Sequence, residues 1–372
     1  MDMNASTISR LVLVAGLVSA MSVVTGSQGP PAGNVTREPD GTIRIREAVM
    51  PPSAILSAGA KEVLAPAAAG RGGGRGGRGG AAAEPISMTE RRAQMNADLQ
   101  PRVEHMRELY PVNVEETTID GISVAIVTPK DGVPERNRHR IMLNVPGGGF
   151  VTGIRANGLF ISIPVASLGE MTVVTALYRQ GPEHRFPAAT EDLLTIYKWA
   201  LNDHDPEAIG MFGCSAGGLL VAQTIAAALL DGLPAPGAAG IYCAGATARF
   251  DGDSHNWSQL LSNGGSTENT NVIATGPDGY LNGIDTTQAA VSPVNNLALL
   301  ARFPPTILAT GTRDFAMSQA AFTHRQMLKA GLETDLLIYD GLGHGFMTNP
   351  DLPESRDLYE LTVKFYDKHL AQ

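Results

Sequence analysis

From Thr117 onward, short apolar or β-branched runs alternate with longer helical patterns, and this alternation restricts the fold of the 372-residue chain more than any other feature. The runs are TTIDGISVAIVTP (117–129), RIMLNV (140–145), MTVVTAL (171–177), AIGMFG (208–213), AGIYCAG (239–245), PPTILATG (304–311) and TDLLIYD (334–340). Helical patterns lie at 186–203, 216–232, 318–331 and 355–370. Strands this short and apolar suit burial on both faces. The chain therefore predicts an α/β fold, a mostly parallel sheet between two helix layers.

The N-terminal part reads differently. Arg10 precedes the apolar stretch LVLVAGLVSAMSVV (11–24), which gives way to small and polar residues, so residues 1–26 read as a secretory signal peptide cleaved after Ala20 or Gly26. The expected location is exported, periplasmic or secreted, with membrane contact only during export. Residues 27–84 are rich in Gly, Ala, Pro and Arg and include GRGGGRGGRGG (70–80), which buries too little surface to offset its chain entropy. They predict a disordered linker ahead of a folding unit over 85–372. The tract's arginines, Arg71, Arg75 and Arg78, have no aromatic residue between them, and the chain carries a net charge of -9. Both points argue against a nucleic-acid partner. Within the folding unit, SMTERRAQMNADLQPRVEHMREL (87–109) predicts one or two helices. The polar stretch 250–296 is longer than an ordinary connection and reads as a lid or part of a cap.

FGCSAGG (212–218) lies directly between a strand run and a helical run. Its G-x-S-x-G spacing puts Ser215 on a sharp strand-to-helix turn, with the hydroxyl exposed at the carboxyl end of the sheet and small residues on either side. The helix N-terminus behind it offers N–H groups to developing negative charge. A nucleophilic serine needs a base. His344, in YDGLGHGFM, follows the last strand run and is framed by glycines, whereas His324 and His369 fall in helical patterns. The orienting acid is Asp314, at the end of PPTILATGTRD, with Asp340 as the competing candidate. NVPGGGF (144–150) ends an earlier strand run in three glycines, whose N–H groups can face an oxyanion without hindrance from a Cβ. It lacks the G-K-[ST] and G-x-G-x-x-G spacings of nucleotide cradles. Two cysteines, Cys214 and Cys243, are too few for a disulfide framework; a single bridge between them stays open, and Cys214 reads as a small buried apolar residue.

Taken together, PGGGF (146–150), LYRQGPEHRFPAATED (177–192), GCSAGG (213–218), GTRD (311–314) and GLGHGF (341–346) resemble the hormone-sensitive-lipase-like branch of α/β-hydrolase esterases over roughly residues 87–372. The order serine, acid, histidine is also that of α/β-hydrolases. The resemblance implies an eight-stranded sheet, a helical cap from about 87–112 and 250–296, and hydrolysis of small-molecule esters with short to medium acyl chains. It implies Ser215 as nucleophile, Asp314 as acid, His344 as base, and the N–H groups of Gly147, Gly148 and Ala216 as the oxyanion hole, with no metal or organic cofactor. This chain departs from the pattern at Pro146, where the family has histidine, at Cys214, where it has aspartate, and at Gln180-Gly181, where it has Leu-Ala. Glu183, His184 and Asp192 read as structural ties. The rival expectation is a catalytically weak member serving as a small-molecule binding module.

Overall fold

The computed structural model describes residues 35–39, 41–45, 52–64, 86–262 and 272–371. The expected signal peptide and the Gly-Arg tract at 70–80 lie outside the described residues. The chain divides into two units, 1–51 and 52–372. In the first, β1 (Val35–Arg37) and β2 (Ile43–Ile45) form an antiparallel hairpin with every side chain exposed.

The second unit begins with a correction to the expected linker. Residues 52–57 lead into helix α1 (Ala58–Leu64), and Leu56 and Ala60 are buried in the core. Ser57 N–H donates to Glu354 at 2.9 Å, and Ser53 Oγ donates to Asp340. Ser53, Leu56 and Ser57 anchor a segment whose small residues and prolines, taken alone, look unable to pack.

Next come α2 (Met88–Leu109), β3 (Val112–Ile119), β4 (Ile122–Pro129), β5 (Ile141–Val145), α3 (Ile154–Gly169), β6 (Thr172–Ala176) and α4 (Ala188–Asp203). The remainder is β7 (Ile209–Cys214), α5 (Ala216–Leu230), β8 (Ala238–Tyr242), α6 (Asp253–Ser262), α7 (Val272–Thr275), α8 (Leu297–Leu300), β9 (Thr306–Arg313), α9 (Met317–Lys329), β10 (Thr334–Gly343) and α10 (Pro353–His369). Ser87 caps α2 with a capping box, its Oγ accepting from Glu90 N–H while the Glu90 side chain accepts from Ser87 N–H. The run read as one strand at 117–129 contains a turn: Asp120 and Gly121 have φ of 47° and 83° and join β3 to β4 as a hairpin.

Eight strands form one sheet in the order β10-β9-β8-β7-β5-β6-β4-β3. The β4 pairings to β3 and β6 are antiparallel, and all other pairings are parallel. Strand periodicity sorts side chains into two cores. Ile141, Leu143, Met211 and Ile241 face the α4/α5 layer, while Met142, Phe212 and Tyr242 face α3 and α10. Helix α3 is absent from the helical patterns read in the sequence. It is apolar on every side and carries Pro164 and Gly158, so it shows no amphipathic stripe.

The chain leaves β5 towards β6 and returns across it to β7, so the direction of winding reverses between β5 and β7. Ligand crevices form at such a reversal, outside the carboxyl ends of the strands. The three-glycine loop follows β5, and Ser215 follows β7.

The two pieces expected to form a cap sit differently in the structure. Helix α2 overlies the carboxyl ends of the strands, but 250–296 does not act as a lid among its described residues. Tyr280, Leu281, Val291 and Val294 are buried in the α4/α5-side core. Tyr280 stacks on Phe150 at 5.3 Å and its hydroxyl accepts from Ala189 N–H. Polar composition hid these anchors, which are too few to shift the average.

Candidate active site

Ser215 sits between β7 and α5 with φ 60° and ψ -126°, a conformation L residues avoid. Its N–H donates to Tyr242 O at 2.8 Å, and its carbonyl accepts from Gly218 N–H at 3.0 Å. The two flanking glycines have a steric reason. A Cβ on Gly213 would lie 2.6 Å from the Gly217 carbonyl, and one on Gly217 would lie 1.9 Å from Val145 O. The turn thus packs backbone against backbone on both sides, which only glycine permits.

The structure brings Ser215, His344 and Asp314 together from the ends of β7, β10 and β9. Ser215 Oγ donates to His344 Nε2 at 2.8 Å, and His344 Nδ1 donates to Asp314 Oδ1 at 2.7 Å; these partners fix the imidazole tautomer. Asp314 is fully buried, and also accepts from Ala316 N–H and Thr310 Oγ, each at 2.9 Å. Burial opposes ionisation of Asp314, but the charge and hydrogen bond of His344 outweigh it and hold the carboxyl below its usual range. Burial likewise opposes a charged His344, and Asp314 overcomes it to raise the imidazole above its ordinary pKa. Asp340 goes elsewhere. Its carboxylate accepts from Ser53 Oγ and from Thr312 Oγ at 3.2 Å, away from His344.

Phe315, which follows Asp314 in the chain, stacks on the His344 ring with centroids 4.1 Å apart. Neither it nor Thr310 figures among the residues expected from sequence. Only the adjacency of Phe315 to Asp314 offered a signal.

The loop after β5 comes close to the serine turn. A Cβ on Gly147 would lie 2.7 Å from Cys214 O, and one on Gly148, at φ 126°, would meet Thr152 O at 1.7 Å. No acceptor among the described residues takes the N–H groups of Gly147, Gly148 or Ala216. Pro146 is buried and its carbonyl accepts from Tyr178 Oη at 2.8 Å. Tyr178 and the proline ring steady the loop where the family's histidine is missing.

A cavity of about 910 Å³ opens above these residues, walled by Gly147, Gly148, Ser215 and His344 below and by Met95 and Leu99 of α2 above. Arg92 fastens α2 in place. Its guanidinium forks onto Glu183 at 2.9 and 2.7 Å, and it also donates to Gly181 O and Val151 O. Asp192 accepts from Arg179 N–H and Nε, both at 2.8 Å. Glu183 and Asp192 are structural ties, and neither lines the cavity.

Both cysteines are free and buried, so the bridge left open by the sequence is not formed. Among the described residues, one grouping of donors could meet a cation: Cys243, Asp314 and His344. Its carboxylate and imidazole already bind each other, and a metal there would displace that hydrogen bond.

Residues 142–348 match the α/β-hydrolase fold family. The chain is 28% identical over 262 residues to a versiconal hemiacetal acetate esterase of Dothistroma septosporum, covering 67% of this chain and 78% of that protein. Its structure is similar to that of esterase E25, with TM-score 0.67 and 29% identity over 77% of this chain and 88% of that one. A crystal structure of an esterase from the bacterial hormone-sensitive lipase family shares the fold at TM-score 0.67 and 23% identity, covering 78% of this chain and 94% of that one. The eight-stranded sheet, the serine turn after β7 and the family match agree, and the chain belongs to the α/β-hydrolase fold family.

Proposed function

We propose that this chain hydrolyses carboxylic esters of short to medium acyl chain through an acyl-enzyme on Ser215. The observation that carries the reading is the unbroken hydrogen-bond chain Ser215–His344–Asp314 at the floor of a cavity. Ser215 Oγ attacks the ester carbonyl while His344 Nε2 takes its proton. His344 then returns the proton to the leaving alcohol, and a water molecule attacks the acyl-enzyme by the same route. Asp314 holds the imidazole in the required tautomer and stabilises the imidazolium. The N–H groups of Gly147, Gly148 and Ala216 receive the oxyanion, supported by their lack of other acceptors and by the positive end of α5. The hemiacetal acetate esterase relative supports a small acyl group, and the apolar Met95 and Leu99 support an uncharged one. Export belongs to the same proposal and rests on the apolar run at 11–24; sequencing the N-terminus of protein recovered from the extracytoplasmic fraction tests it.

The test is a series of chromogenic esters of increasing acyl length, together with a serine-directed phosphonate. The expected result is turnover that declines for long acyl chains and stoichiometric labelling of Ser215. A folded protein that hydrolyses none of the esters and leaves Ser215 unlabelled would be a binding module instead.

A pH profile adds an independent check. His344 accepts a proton only when neutral, and its pKa is raised, so activity rises with pH through a limb whose midpoint lies above the ordinary histidine value of about 6.5. The measurement is kcat/KM against pH, which reports the free enzyme. A midpoint clearly below that value would contradict the ionised Asp314 beside the ring.

A further inference from the structure

Two thiols lie behind the triad, and one of them touches it. Cys214 ends β7 immediately before Ser215, and its register partner on β8 is Tyr242. Cys243 is the next residue and leaves the strand with φ 47°, which turns its side chain into the same buried cluster as Cys214 and Tyr242. Neighbouring strands run about 4.8 Å apart, so a pair offset by one residue falls within the Cα window of about 4.4–6.8 Å that a disulfide requires.

The surroundings of Cys243 tie it to the chemistry. Its sulfur accepts the N–H of Gly345 at 3.3 Å, and Gly345 follows His344. Its Sγ, a carboxylate oxygen of Asp314 and an imidazole nitrogen of His344 all lie within 4.8 Å of one another. The single S–H proton therefore has two acceptors in reach, the Asp314 carboxylate and the Cys214 sulfur. Cys214 in turn contacts Met347 Sδ at 3.7 Å and lines the substrate cavity, so a small solute entering there meets it first. Cys214 is the more acidic of the pair, because the hydrogen bond from Cys243 lowers it while burial raises Cys243.

We propose that Cys214 and Cys243 form a reversible disulfide switch, closed by hydrogen peroxide that enters through the substrate cavity. Cys214 Sγ attacks one peroxide oxygen and the O–O bond breaks, leaving a sulfenic acid on Cys214 and releasing water with the thiol proton. Cys243 Sγ then attacks the Cys214 sulfur and the S–O bond breaks. The departing hydroxide takes the Cys243 proton and leaves as a second water. Two thiols are oxidised and one peroxide is reduced to two waters. In the disulfide, the sulfur that accepts from Gly345 N–H is drawn towards Cys214, away from its place beside the Asp314 carboxylate and the His344 ring. The turn that carries His344 loses its hydrogen bond to the sulfur, the packing beside the Asp314–His344 pair changes, and turnover is expected to fall by about tenfold or more. Cys243 acts here as a positioning residue. The effect on turnover rests on the acyl-transfer reading, but formation of the bond does not.

The experiment treats the full-length protein with hydrogen peroxide, then with dithiothreitol, and follows ester turnover and the peptide map in parallel. The expected result is a peptide cross-linked between Cys214 and Cys243, a matching loss of turnover, and recovery of both on reduction. Methionine sulfoxide at Met347 would not revert with dithiothreitol, so recovery separates the two lesions. Cys214→Ala, compared with its own untreated rate, should be insensitive to peroxide, and Cys243→Ser should form no intramolecular cross-link and carry a sulfenic or sulfinic acid on Cys214. Loss of turnover without the cross-link, a complete cross-link with full turnover, or persistent sensitivity in Cys214→Ala would each overturn the proposal. A protein inert before any peroxide refutes the acyl-transfer reading, and the cross-linked peptide alone then decides whether the disulfide forms.

Discussion

Asp314→Asn is expected to lower kcat on a good ester by about 10⁴-fold while leaving the fold intact. The amide keeps the shape of the carboxylate; its single oxygen can still accept from Ala316 N–H at the Oδ1 position, while its NH2 at the Oδ2 position donates to Thr310 Oγ instead of accepting from it. It cannot supply the negative charge that keeps His344 Nδ1 protonated and Nε2 free to accept from Ser215. The imidazole then settles in the other tautomer, or loses the stabilisation of its charged form. The same change removes the main influence raising the His344 pKa, so the residual activity should show an acid limb at lower pH than the parent. Asp340→Asn is the control. Its carboxylate serves Ser53 and Thr312, so it should cost thermal stability and leave kcat within a few-fold. Steady-state kinetics of the two variants, with thermal melts alongside, separate the roles. The acid assignment fails if Asp340→Asn is the inactive one.

The residues of this site were legible in the sequence because each has a local steric or chemical requirement. Ser215 needs glycines on both sides, since the backbones of Val145, Gly213 and Gly217 crowd the turn. His344 needs the flexible frame of Gly343 and Gly345 to come off the end of β10. Asp314 needs only to end a strand, which is why Asp340 competed with it in the sequence, although Asp314, at the end of a different strand from His344, can approach the imidazole from behind. What separates them is the offset of the two strand ends. The β9–β10 register shifts between Tyr339 and Gly343, and that bulge carries His344 over towards Asp314. No sequence period encodes such a bulge. The failures have a common cause in tertiary burial. Helix α3 is enclosed by the sheet, α2 and α10, and so lacks the polar stripe that identifies a surface helix. Residues 250–296 read as a lid or part of a cap because their polar majority hides Tyr280, Leu281, Val291 and Val294, whose burial fixes the described part of the segment to the core.

A chain that begins at Ala83 should melt about 3 °C below one that begins at Pro52, and should turn over esters more slowly. Read from composition, residues 27–84 are all dispensable, and the two chains would behave alike. The structure separates out residues 52–64. Leu56 is 6% exposed, and its Cδ1 packs so closely on Gly341 that a Cβ there would lie 2.8 Å from it. Burying a leucine side chain contributes about 1.5–3 kcal/mol. The hydrogen bonds Ser53–Asp340 and Ser57–Glu354 add about 1 kcal/mol each. Ordering the segment offsets part of this and leaves a net loss of about 2 kcal/mol, equivalent to roughly 3 °C in a unit spanning residues 52–372. The kinetic effect has a separate origin. Gly341 lies three residues before His344 on the strand end that positions the base, so removing Leu56 frees that turn and loosens the Ser215–His344 contact. Leu56→Ala in the full chain isolates this contribution: it should reproduce most of the fall in melting temperature and a smaller part of the fall in kcat. Equal melting temperatures for the two truncated chains would mean that the segment contributes nothing to the core. A lower melting temperature with unchanged kcat would confine its role to stability and detach it from the placement of His344.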